Sequence, residues 1–148
     1  EICLSDWSSD VCSSDLLTYK HLFETLLKGP IDITFSGSTA VACLLQDGVL
    51  YCANSGDSRA ILGVQTDNGD FTFKKLSTDH KPDLPAEKER IERSGGRVDA
   101  YQAPNGEKCG PMRVWLPNKN IPGLAMSRCI GDLVAASVGV VWSPGKIE

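Results

Sequence analysis

The sequence predicts an α+β fold, with a strand-rich middle section bracketed by helical segments. Two observations carry that prediction. Between Ser38 and Leu76, four strand-like runs follow one another with short turn signals between them. On either side, Leu17–Lys28 and Pro85–Ser94 carry the residue spacing or the end signals of helices.

The residues before the first of these elements stand apart. Asp6 to Leu16 (DWSSDVCSSDL) has neither helical nor strand period and holds two Ser-Ser-Asp repeats. Along its whole length it resembles the translation of a common sequencing-adapter oligonucleotide. Residues 1–16 are therefore set aside as an artefact, and true protein sequence is expected to resume near Leu17. The chain opens on Glu1 rather than Met and stops at Glu148 without a closing element, so sequence is expected to be missing around residues 17–148.

From Leu17 to Lys28, Tyr19, Leu22, Phe23, Leu26 and Leu27 recur at helix spacing and form a core-facing stripe, which Gly29-Pro30 ends. Ser38–Leu45 is almost continuously apolar, as in a strand covered on both faces. Asp47-Gly48 marks a hairpin turn into Val49–Ala53. Arg59–Val64 and Phe71–Leu76 follow as third and fourth strands around Asp67-Asn68-Gly69-Asp70, completing an antiparallel meander. Asp83 is placed to cap a charged surface helix over Pro85–Ser94, with Ile91 turned inward together with Ala86 or Leu84. Its acidic residues lie toward the start and its basic residues toward the end, which suits the helix dipole, and Gly95-Gly96 stops it. Arg97–Pro122 is rich in Gly, Pro and Asn and reads as irregular, with one short strand at Met112–Leu116. Val138–Trp142 reads as a last strand.

Composition narrows the function classes. The 148 residues suffice for one domain with a core, and 41% hydrophobic with 23% charged residues is ordinary for a soluble globular protein. A net charge of −4 argues against nucleic acid as partner. No apolar run approaches the ~20 residues that span a bilayer, and nothing resembles a signal peptide, which argues against a membrane. The six cysteines (Cys3, Cys12, Cys43, Cys52, Cys109 and Cys129) form no CxxC pair and no zinc spacing. Cys43 and Cys52 read as small hydrophobes within strands. The expectation is a reducing compartment, cytoplasmic or nuclear, and a monomer.

The segment Asn54-Ser55-Gly56-Asp57-Ser58-Arg59 lies between two strands. Gly56 permits a bend there that offers Asp57 at a strand edge, where a carboxylate suits Mg²⁺ or Mn²⁺. Alone, the hexapeptide reads first as a turn in which Asp57 pairs locally or with Arg59. The other segments change the weight: Ser36-Gly37-Ser38-Thr39-Ala40, then Asn54–Arg59, Asp79-His80-Lys81-Pro82, the stretch from Glu87 to Val98, and Gly123–Asp132 (GLAMSRCIGD). In this order they resemble the metal-dependent protein phosphatase family (PPM, or type 2C), over about Phe35 to Pro144. The tail from Val138 to Pro144 fits too, although Gly145-Lys146 departs from the acidic residue usual there.

That resemblance implies two antiparallel sheets packed face to face with helices outside, incomplete in this chain. It implies hydrolysis of phosphoserine or phosphothreonine by a hydroxide held between two divalent ions, with a phosphoprotein as the substrate partner. Asp57 matches a family aspartate that helps bind a weaker additional ion. The core-pair ligands, the phosphate-binding arginine and the general acid histidine belong to segments that do not occur here, so no catalytic residue is assigned. Gly37, Gly56, Arg59, Asp79, His80, Arg128 and Asp132 match scaffold positions. His80 is read as a loop hydrogen bond rather than a base, and Arg128 and Asp132 as a buried ion pair. Residues 97–122 correspond to the family's flap, where Arg113 and Trp115 are substrate-contact candidates. The alternative function is a pseudophosphatase that keeps the fold and works by binding.

Overall fold

The structure, a computed structural model, describes residues 10–145, with side chains described from Leu16 onward. Residues 1–9, Cys3 among them, the side chains of residues 10–15, Cys12 among them, and Lys146 lie outside the described residues. Helix α1 spans Asp10–Lys28, so it begins within the adapter-like segment rather than at Leu17. Of its apolar stripe, Tyr19 is buried and Phe23 and Leu26 are packed, whereas Leu22 and Leu27 remain exposed.

Strand β1 (Gly37–Ser38) leads into the hairpin of β2 (Ala40–Gln46) and β3 (Val49–Ser55). A second hairpin follows, β4 (Ile61–Gln65) with β5 (Phe71–Lys75). The class is α+β with antiparallel sheets, but these four strands are two separate hairpins and not one meander. The turn after β3 turns the chain away: Gly56 sits at φ 113°, and β4 then takes β5 as its partner. Nor is β2 covered on both faces. Its residues from Val41 to Gln46 are exposed, and its sheet holds only β3. A continuous apolar run signals that a strand can be buried, and cover must come from another element.

Helix α2 spans Pro85–Arg93. Leu84, not Asp83, occupies its N-cap position, and no side chain caps it; Pro85 begins the helix without needing a donor there. Ile91 is fully buried, Leu84 half-buried and Ala86 exposed.

The stretch expected to be irregular is a three-stranded sheet of β6 (Arg97–Gln102), β7 (Lys108–Trp115) and β8 (Pro122–Leu124). Its isolated apolar residues meet across the ladder, Val98 opposite Val114 and Val114 opposite Leu124. A turn at residues 103–106, with Gly106 at φ 85°, joins the first two strands. The short strand β9 (Ile130–Gly131) pairs with β1, and α3 (Leu133–Ala136) follows. Val138–Trp142 is not a strand: Gly139 at φ 97° breaks the extension, leaving one parallel bridge between Arg128 and Val141.

Two apolar clusters hold these pieces. The larger gathers Ile91, Val114, Cys129, Ala135, Val138 and Val140. The smaller sets Tyr19 of α1 against Ala53 and Ile130, with Trp142 stacked on Phe23 at 6.2 Å. The Tyr19 hydroxyl also donates to the Ala53 carbonyl at 3.1 Å, tying α1 to β3.

Candidate functional site

The turn after β3 is built around Gly56. A Cβ added there would lie 2.3 Å from Thr39 Cγ2, and the φ of 113° is one that side chains resist. Asn54, buried beside it, donates from Nδ2 to the carbonyls of Gly56 at 3.1 Å and Thr78 at 2.9 Å. The backbone N–H of His80 donates to the Gly56 carbonyl at 2.9 Å, and the ring Nδ1 lies 3.2 Å from the Gly56 nitrogen. Gly145 backs the same ring, where an added Cβ would lie 2.2 Å from Nε2. Its own N–H closes the clamp on the Asn54 carbonyl at 2.9 Å.

His80 is 5% exposed. Burial above all, and then the charge of Arg128, pull its pKa down to about 4, against the pull of Glu87 in the other direction. The ring is neutral at neutral pH. It is enclosed by backbone and lies against the turn, so its place is that of a brace.

The acidic residues of this edge are engaged. Asp57 pairs with the Lys81 ammonium, not with Arg59. Arg59 instead forks onto Asp79, through Nε at 2.8 Å and Nη2 at 2.6 Å, and that guanidinium holds Asp79 below the ordinary carboxylate range. The Asp79-His80-Lys81 loop thus contributes three consecutive residues to one turn: one to Arg59, one to Gly56 and one to Asp57.

The most buried ion network was not legible as such in the sequence. Glu87, 4% exposed on α2, receives Arg90 through Nη1 at 2.7 Å, Arg128 through Nη2 at 2.6 Å and the Ser127 hydroxyl at 2.6 Å. Burial alone would raise its pKa. The bonds from Arg90, Arg128 and Ser127 outweigh that and hold it far below the usual carboxylate range. The expected pairing of Arg128 with Asp132 is therefore corrected: the carboxylate belongs to Glu87. Asp132 sits in the left-handed region at φ 50°, its N–H on the Ser36 carbonyl at 2.8 Å and its carboxylate against Gly37, where an added Cβ would lie 2.2 Å from Oδ2. The one available signal was Glu87 and Arg90 three apart on a helix face.

The two flap candidates line one cleft. Trp115 is 6% exposed, its indole N–H donates to the Asp99 carbonyl at 2.9 Å, and the Arg97 guanidinium lies 5.5 Å from its ring centre. Arg113 donates to the Gly123 carbonyl at 2.7 Å and, together with Trp115, Tyr101, Cys109 and Gly123, lines an open cleft of about 370 Å³.

Mg²⁺ and Mn²⁺ favour several converging oxygen ligands. Among the described residues no three His, Cys, Asp or Glu side chains converge, and the Asp57 carboxylate is held by Lys81. The residues described here do not by themselves fit the two-ion centre.

A sequence model of the family described as Protein phosphatase 2C matches residues 18–144. Probable protein phosphatase 2C 12 of Oryza sativa subsp. japonica is 46% identical over 121 residues, covering 82% of this chain and 30% of the relative. Probable protein phosphatase 2C 72 of Arabidopsis thaliana is 47% identical over 111 residues, covering 75% of this chain and 32% of the relative. The crystal structure of serine-threonine phosphatase 2C from Toxoplasma gondii superposes with a TM-score of 0.67 at 26% identity, over 93% of this chain and 49% of that one. The chain thus spans about a third of the length of these curated relatives. With the family match running from the first helix to Pro144, and the Gly56 turn braced by the segments that carried the resemblance, the chain belongs to the protein phosphatase 2C family.

Proposed function

We propose that the protein to which this chain belongs is a metal-dependent protein serine/threonine phosphatase, acting on phosphoproteins, and that the 148 residues alone are an inactive scaffold section. One observation carries the second half. The carboxylate offered at the Gly56 turn is paired with Lys81, and no further His, Cys, Asp or Glu cluster gathers among the described residues. The family match supports the first half. What these residues supply is positioning. His80 fixes the turn that carries Asp57, and the Glu87 network fixes α2 against the Ser127-Arg128 segment. Mg²⁺ or Mn²⁺ as the ion, and a cytoplasmic or nuclear setting, belong to the same proposal. No apolar helix long enough to cross a membrane occurs among the described residues.

The test is turnover of a phosphothreonine peptide by the 148-residue chain in added Mn²⁺, beside a full-length relative. The expected result is hydrolysis by the relative only. Chelator-sensitive turnover by the chain would show that it assembles a working ion pair after all. The pseudophosphatase reading is met by sequencing the native transcript: intact flanks lacking the core carboxylates would establish it, and flanks carrying them would remove it.

A further inference from the structure

The β2–β3 hairpin sets two cysteines directly opposite one another, Cys43 and Cys52. Which kind of pair they form follows from the turn. Asp47 and Gly48 make a two-residue loop with φ values of 51° and 79°, the doubly positive combination of a type I′ hairpin. Gln46 and Val49 are partners that close that loop, and the pair closing a type I′ turn is the hydrogen-bonded one. Pair type alternates along an antiparallel ladder. Leu45 with Leu50 is therefore a non-hydrogen-bonded pair, Leu44 with Tyr51 a hydrogen-bonded one, and Cys43 with Cys52 non-hydrogen-bonded again.

That position brings side chains closest. Cα atoms of non-hydrogen-bonded pairs lie about 4.5 Å apart, within the ~4.4–6.8 Å that a disulfide bridges. Opposed residues also project from the same face. Cys43 is exposed to solvent and Cys52 half-exposed. The remaining cysteines with described side chains have no such arrangement: Cys109 faces Tyr101 across β6 and β7, and Cys129 is buried in the larger cluster.

We propose that Cys43 and Cys52 form a reversible oxidation site that closes to a cross-strand disulfide, with a peroxide as the oxidant. Hydrogen peroxide oxidises one thiol to a sulfenic acid and releases one water. The second sulfur attacks the first, the S–S bond forms, and the hydroxyl leaves with the second thiol's proton as another water. Two thiols thereby give two electrons to one peroxide. A small dithiol reverses the step by exchange, as exposed disulfides allow. The site lies on the strand that runs directly into Asn54 and the Gly56 turn. It rests on strand register and does not depend on the phosphatase reading.

The experiment treats the reduced 148-residue chain with hydrogen peroxide in native buffer and in guanidinium, traps remaining thiols with iodoacetamide, and maps the peptides by mass spectrometry. The expected native product is an intramolecular Cys43–Cys52 linkage, two hydrogens lighter, unalkylated at both residues and restored by dithiothreitol. In guanidinium the linkages should scatter among the six cysteines. C43S should leave Cys52 alkylated or overoxidised, and C52S should do the same for Cys43, with unchanged circular dichroism showing that each variant folds. A native product dominated by Cys109 or by intermolecular links, or the same scatter in both solvents, would overturn the proposal.

Discussion

The two hairpins and the junction of α2 with His80 and the Ser127-Arg128 segment are made of opposite materials in opposite places. Beneath the Gly56 turn a glutamate, two arginines and a histidine lie buried or half-buried and fully engaged. On the hairpins, Leu45 is 71% exposed and Phe71 79% exposed. Burial here follows from available partners, not from the hydrophobicity of the residue. A charged group can lie inside if its bonds replace the water it loses, and an apolar one stays outside when no layer reaches it.

The comparison breaks first at Glu87. α2 carries two ion pairs of similar length, Glu87 with Arg90 and Glu89 with Arg93. The Glu87 carboxylate is almost fully covered, while the Glu89 and Arg93 side chains are largely in solvent. Glu87→Gln leaves Arg90 and Arg128 without their counter-charge and is expected to cost about 3 kcal/mol, within the range for breaking a buried pair. Glu89→Gln is expected to cost less than about 0.5 kcal/mol. Urea midpoints of the two variants check this. Equal small losses would mean that water screens the buried network as it does the surface one.

The next test is acid. His80 falls from an ordinary 6.5 to about 4 in the fold, so between those values the unfolded chain takes up a proton that the native chain refuses. Stability is complete above 6.5 and declines as pH falls toward 4, by about 3 kcal/mol from a shift of this size. Glu87 acts in the same direction at lower pH. Its depressed pKa contributes stability above the ordinary carboxylate value of 4.5, and that contribution is lost as pH falls further. Unfolding free energy measured at pH 7, 5.5 and 4.5 should decline at each step, and the His80 ring should titrate near 4 by NMR. A flat profile above 4.5 would place the ring in solvent.

How much of this was legible depended on whether the signal was local. The Gly56 turn, the hairpin at Asp47-Gly48 and the stop after Lys28 are written in single residues, and the structure has all three. The candidate site was legible as a set of segments, since the 54–59 turn and the 79–81 loop do meet. Its pairings were not. Whether Asp57 takes Arg59 or Lys81, and whether Arg128 takes Asp132 or Glu87, is decided by segments brought together from distant parts of the chain. The sheet of residues 97–124 was not legible, because Gly, Pro and Asn signal breaks across the whole stretch. They occupy its turns and register shifts, while Val98, Val114 and Leu124 carry its ladder. The exposure of β2 was not legible for a related reason: the sequence of one strand says nothing about what lies over it.

The smallest expected effect sharpens the contrast from the hairpin side. In the β4–β5 register Gly63 stands opposite Phe73 and Gln65 opposite Phe71, so both rings and Ile61 share one face. Phe73 is 58% and Ile61 57% exposed, while Leu62 and Val64 on the other face are half-buried. A phenylalanine in a core would cost about 3–5 kcal/mol on truncation. Replacing Phe73 with Thr keeps a strand-compatible side chain, and with so little burial the change should stay within about 0.5 kcal/mol. Light scattering should fall at the same time, because an exposed apolar strand face favours association. A loss above about 1 kcal/mol, with scattering unchanged, would mean that this face is covered in solution. The division between a partnered interior and an uncovered hairpin would then fail at its most exposed point.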